Sequence, residues 1–124
     1  MIDWDALKSA ALAAKENAHA PYSHFRVGAA ILANGRIFTG CNVENASYPV
    51  GLCAERGALA AAVVAGCKKL EAVVIAADSP IPPCGMCRQA LAEFNPSVPI
   101  VMISTQMEAE ASLSQLFPDP FVLE

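Results

Sequence analysis

Residues 71–77 read EAVVIAA, Glu71-Ala72-Val73-Val74-Ile75-Ala76-Ala77. After the glutamate every position is apolar, with no polar alternation. A strand half in water alternates; a strand covered on both faces does not. This stretch therefore predicts a central strand with helices above and below it. Its flanks agree. Upstream, GALAAAVVAG (57–66) extends a helix that starts at about Cys53 and that Gly66 can end. Downstream, the loop DSPIPP leads to a third helix from near Cys84 to about Phe94, then to an apolar strand, Val98 to Ile103. Further back, Val27 to Leu32 and Arg36 to Cys41 flank Asn34-Gly35. This is the pattern of a two-residue hairpin. Asp3 can cap a first helix with Trp4, Leu7, Ala11, Ala14 and Ala18 on one face, and Pro21 stops it. A short helix near Leu113 to Phe117 precedes PDPF in the tail. The order αββαβαβ predicts an α/β fold, a mixed sheet between two layers of helices.

The chain has 124 residues, enough for one domain, 1–124. It is 55% hydrophobic and 16% charged, with mean hydropathy +0.41. A domain this small hides a limited share of its surface. So much apolar content points to a subunit interface and an oligomer. A membrane span is excluded by length: Gly57 to Gly66 is about half of the roughly 20 residues a spanning helix needs. The net charge is −4 and the eight Lys and Arg are scattered, which argues against a nucleic-acid polymer as partner. The start, MIDWDALKSA, is acidic and amphipathic and does not read as a secretory signal. The sequon Asn45-Ala46-Ser47 then carries no meaning, and a cytoplasmic location is expected.

Five cysteines without an export signal suit metal or catalytic use better than a disulfide framework. Cys84-Gly-Met-Cys87 is a CxxC at a predicted helix start. One turn there brings two thiolates onto one ion. Alone the motif is ambiguous between a redox pair, a structural zinc half-site and chance. No second CxxC or HxxxH pair follows. His19 and His24 read as solvated, and Cys41 and Cys67 as small buried hydrophobes. Cys53, at another helix start, completes a set of three ligands with one position open, as catalysis by zinc requires. Glu55 then stands where a carboxylate can take a proton from water and hand it on. Arg56 can withdraw charge from three thiolates on Zn²⁺. Taken singly, Glu55 is an ordinary helix-start acid and Arg56 an ordinary surface ion pair.

Cys53-Ala54-Glu55 followed by Pro83-Cys84-Gly85-Met86-Cys87 resembles the zinc-deaminase pattern. PYSHFRVGAA, GCNVENAS, CAERGAL and PCGMCRQALAEF extend the likeness from Pro21 to Phe94. The chain is similar to the short, homotetrameric type of cytidine deaminase. That resemblance implies a three-layer α/β/α sandwich with a mixed five-stranded sheet. It also implies one Zn²⁺ per subunit on Cys53, Cys84 and Cys87, with Glu55 as acid and base. The implied reaction is hydrolytic deamination of cytidine and deoxycytidine to uridine and deoxyuridine, a step of pyrimidine salvage. Substrate residues carry over as Phe25 stacking on the pyrimidine, Asn42 and Glu44 on the ribose hydroxyls, and Ala54 offering its backbone to the base. Phe121 matches an aromatic that reaches a neighbouring subunit's site. Two other readings stay open: a deaminase of another amino-heterocycle, such as blasticidin S, and a non-enzymatic zinc module that binds protein. The first would differ in substrate; the second would need a closed four-ligand site and leaves Glu55 without a task.

Overall fold

The structure is a computed structural model and describes residues 1–123. Five strands form one sheet: β1 (Gly28–Ala33), β2 (Arg36–Cys41), β3 (Leu70–Ala76), β4 (Pro99–Ile103) and β5 (Glu108–Ser112). The spatial order is β2-β1-β3-β4-β5, with β3 and β4 parallel and the other neighbours antiparallel. The hairpin closes as expected, Ala33 opposite Arg36, with Asn34 and Gly35 both at positive φ (51° and 73°).

Helix α1 (Trp4–Lys15) covers one face. Asp3 caps it, its carboxylate accepting from the Ala6 amide at 3.1 Å. Leu7 and Ala11 pack on Ala30, Ala72, Val74, Ala76, Val101 and Ile103. The opposite residues of the same strands, Ala29, Ile31, Val73, Ile75, Ile100 and Met102, join Ala54, Ala58, Leu59 and Ala62 of α2 (Ala54–Val64) and Leu91 of α3 (Gly85–Ala92) in the larger core. The even burial of EAVVIAA thus has the predicted cause: alternate residues fill two cores. A fourth helix, α4 (Leu113–Leu116), opens with the capping box of Ser112 and Gln115.

Two boundaries differ from the sequence reading. Helix α1 stops at Lys15 rather than near Pro21, because Ala18 already turns back onto the Lys15 carbonyl and His19 pairs with the loop at Asn42. Strand β5, EAEAS, lacks the β-branched and aromatic residues that mark strands, so local propensity hides it. It pairs with β4 over five residues and completes the five strands implied by the resemblance. Helix α2 ends in a Schellman motif, with Gly66 at φ 88°, its amide on the Val63 carbonyl and that of Cys67 on Ala62.

Gly40 of β2 sets the height of α2 above the sheet. A Cβ there would run into the Ala54 carbonyl and the Ala58 amide, both rigid helix backbone. Gly40→Ala is expected to lift the first turn of α2 and cost about 1–3 kcal/mol. Urea unfolding of the variant measures it.

At the end of α1, Lys15 is 7% exposed and its ammonium meets Asp78 at 2.8 Å. The hydrogen bond and charge of Lys15 hold the Asp78 carboxyl below its ordinary range. A depressed folded pKa means that stability is gained above the unfolded pKa and lost as pH falls through the folded one. Asp78→Asn is therefore expected to lower the unfolding midpoint at pH 7. The gap to the parent should close as pH is taken below the usual carboxylate range, which urea titrations at a series of pH values would read.

Candidate metal and catalytic site

Two helix starts meet on one side of the sheet. Cys53 is the N-cap of α2 (φ −78°, ψ 152°) and Cys84 that of α3 (φ −67°, ψ 171°). Neither side chain bonds to its own helix amides, so both sulfurs are left for each other. They stand 3.7 Å apart, and Cys87, one turn into α3, brings its sulfur within 4.8 Å of both. No zinc-ligand cluster other than these three forms among the described residues. His19 and His24 are exposed, and Cys41 and Cys67 stand outside the cluster.

The donor set fits zinc. Thiolates are soft ligands. Two sulfurs about 2.3 Å from a tetrahedral zinc lie about 3.8 Å apart, close to the separation of Cys53 and Cys84. The thiols already share charge. Cys53 is pulled down to about 5, chiefly by a hydrogen bond from Cys87, then by bonds from Arg56 and Cys84. The hydrogen bond with Cys53 and burial push Cys87 the other way, up. Arg56 lies with Nη2 3.8 Å from the Cys53 sulfur and forms no ion pair with a carboxylate among the described residues. Its Nε is buried without a partner.

Glu55, in the first turn of α2, is 5% exposed. Burial pushes its carboxyl up, and the negative charge of Cys53 pushes in the same direction. Ala54, at the first helical position, is fully buried. Burying a carboxylate beside cysteine sulfurs costs stability, so a site task explains it better than a capping one.

In front of the sulfurs opens a cavity of about 580 Å³, a size suited to a small molecule. Cys53, Arg56, Asn42, Glu44, Tyr22 and Tyr48 are among its lining residues, whereas Glu55, Cys84 and Cys87 are not. The two tyrosines meet edge to face at 6.1 Å. Asn42 is held by backbone on both ends of its amide: it accepts from Val27 N and donates to Phe25 O, each at 2.8 Å. Glu44 accepts from the amides of Tyr22 (2.9 Å) and Ser23 (3.1 Å) and from the Ser23 hydroxyl. Those bonds, the hydroxyl's first, draw its carboxyl down. The turn that serves Glu44 forces His24 to φ 59°. Phe25 packs against the larger core and is not among the cavity-lining residues. Phe121 is 69% exposed, outside the cavity, with its backbone N and O both bonded to the Gln89 side chain.

Sequence reasoning missed Ser23, Tyr22, Tyr48 and Met86, all at the cavity. Ser23 and Tyr22 lie inside the quoted match PYSHFRVGAA, which was the available signal. Met86 likewise lies inside PCGMCRQALAEF, whereas Tyr48 lies outside every quoted match.

The family model for the cytidine and deoxycytidylate deaminase zinc-binding region matches residues 2–103. The chain belongs to this family. It is 41% identical over 128 residues to a cytidine deaminase of Sporosarcina psychrophila, covering 99% of this chain and 94% of the relative. A crystal structure of cytidine deaminase from Burkholderia pseudomallei shares its fold at TM-score 0.90 and 44% identity, covering 98% and 100% of the two chains. The cytidine deaminase of Mycobacterium tuberculosis matches at TM-score 0.86 and 40% identity, over 99% and 100%. Deaminases of this family bind zinc, and the three-sulfur cluster described above is where such an ion fits. No helix among the described residues is long and apolar enough to cross a membrane.

Proposed function

We propose that this chain, acting as one catalytic domain over 1–124, is a zinc-dependent cytidine deaminase that converts cytidine and deoxycytidine to uridine and deoxyuridine with release of ammonia. The observation that carries the reading is a buried carboxylate, Glu55, beside three converging sulfurs, one of which, that of Cys53, belongs to a residue lining a cavity of small-molecule size. The non-enzymatic module has no use for this carboxylate and needs a fourth ligand.

Zinc held by Cys53, Cys84 and Cys87 supplies Lewis acidity that makes water nucleophilic near neutral pH. The protein supplies the rest. Glu55 accepts one proton from the attacking water and delivers it to N3 of the base; it then takes the second from the hydroxyl added at C4 and passes it to the amine that leaves. Its raised proton affinity suits both roles, since a group that must take and return a proton works best near the ambient pH. Arg56 offsets part of the sulfur charge from 3.8 Å. Ala54 offers backbone contacts to the pyrimidine and Phe25 its ring. Asn42 and Glu44 face the ribose, the first offering donors and an acceptor, the second acceptors. Their bonds to the 22–27 backbone hold both groups rigid before substrate arrives.

The exposed Phe121 suits a residue that completes the site of another copy, and this supports a homotetramer. Exposed Val63 and Val64 of α2 are further apolar surface for such contacts. A nucleoside substrate fits a place in pyrimidine salvage.

Ammonia release from cytidine by the zinc-loaded protein, with Glu55→Ala as control, tests the proposal. Activity that disappears in the control is expected. A fully zinc-loaded protein that leaves cytidine untouched would withdraw the nucleoside assignment and turn attention to other amino-heterocycles.

A further inference from the structure

Between β3 and α3 the chain runs Asp78-Ser79-Pro80-Ile81-Pro82-Pro83-Cys84. Three of these seven residues are prolines and have no amide hydrogen. The main-chain bonds lie at the ends, from Ala77 N to Ile103 O (3.0 Å) and from Arg88 N to Cys84 O (2.9 Å). A segment that ends in a metal-ligand candidate is thus tied down very little by its own backbone.

Arg88 fills that gap. Its Nε donates to the Pro83 carbonyl at 2.8 Å, and its Nη1 to the Leu116 carbonyl, at the end of α4, at 2.7 Å. The guanidinium is half-buried and has no carboxylate partner among the described residues. A charge-assisted donor with a rigid fork is therefore used entirely on two main-chain oxygens. One belongs to the peptide directly before Cys84; the other belongs to the C-terminal segment. Cys84 is also the sulfur-bearing residue in most need of support. It is exposed, whereas Cys87 is buried and Cys53 starts a helix backed by the core.

We propose that Arg88 is a positioning residue for the metal centre: by bracing the Pro83 carbonyl against α4, it fixes the direction in which Cys84 presents its sulfur. Arg88 itself contacts neither sulfur nor cavity. The proposal rests on reading Cys84 as a zinc ligand. It assigns the C-terminal segment a share in holding the metal, separate from any use of Phe121.

The test follows zinc transfer from the loaded protein to excess chromogenic chelator, in the parent, Arg88→Met, Arg88→Lys and Gln89→Ala. Co²⁺-substituted protein gives the thiolate-to-metal charge-transfer band as a second readout. Arg88→Met should release zinc about tenfold faster or more, the scale on which groups bracing metal ligands act. Its Co²⁺ band should shift as well. Arg88→Lys keeps the charge but cannot span both carbonyls, so an intermediate acceleration is expected. Gln89→Ala frees Phe121 but leaves the brace, and should release zinc as the parent does.

Parent-like release and an unchanged Co²⁺ band in both Arg88 variants would overturn the proposal, even if the unfolding midpoint fell. Equal acceleration in Gln89→Ala would overturn it too, since docking of the whole tail would then hold the loop. Should Arg88→Met not fold, Arg88→Lys decides by the same criteria. The underlying reading is checked separately: Cys84→Ala with an undiminished charge-transfer band would remove Cys84 from the ligand set.

Discussion

Glu55→Gln is expected to lower turnover by about 10²–10⁴-fold, the usual contribution of a placed acid and base, while zinc content stays at the parent level. The amide matches the carboxylate in shape but can neither accept a proton from water nor deliver one to the ring or the amine. Binding should change little, because the same volume fills the same buried position. The folded protein should not suffer. A carboxyl whose pKa is raised by burial and by Cys53 disfavours folding once the pH passes its unfolded pKa. Removing that charge should leave stability equal or greater, the familiar exchange of stability for activity. Steady-state ammonia release, metal analysis and thermal unfolding on one preparation give all three numbers. Turnover close to the parent's would sink the role assigned to Glu55.

Cys84→Ala is expected to take zinc occupancy from about one per subunit towards zero, and activity with it. Two sulfurs remain, one short of the three protein ligands that a catalytic zinc site uses. Bound metal stabilises whatever state holds it, so the parent's extra thermal stability in zinc should be missing from the variant. Metal analysis after gel filtration, with melting curves at several zinc concentrations, would measure both. Full occupancy in the variant would count against the three-sulfur set.

Much of the architecture was legible because it rests on burial. EAVVIAA announced a two-sided strand, Asn34-Gly35 a hairpin and Gly66 a helix end, each through a rule that acts over a few residues. Strand β5 was not legible from its residues. Its glutamates and alanines pair with β4 across the turn at 104–107, where the Gln106 and Met107 amides donate to the Ser104 hydroxyl and the Ser104 amide to the Met107 carbonyl. The metal cluster was half legible. CxxC carries its own geometry, but Cys53 lies 31 residues away and joined the set by elimination and resemblance. Asn42 and Glu44 were unreadable without the resemblance, since their settings depend on a turn at 21–25 that is remote in sequence. Phe25 shows the limit from the other side: the resemblance gives it to the substrate, whereas its visible contacts are with the core.

The unpromising composition of β5 has a use of its own. β5 is the outermost strand on its side of the sheet, so one row of its amides and carbonyls has no neighbouring strand. Open edges invite other chains to add on, and the end point of such addition is aggregation. Glu108 and Glu110, both exposed, line this border with like charge, and Lys8 pairs with Glu108 at 3.1 Å without neutralising both. Two valines in their place would make a better isolated strand and a more adhesive molecule. The residues that conceal the strand from its sequence also guard it from joining the wrong partner.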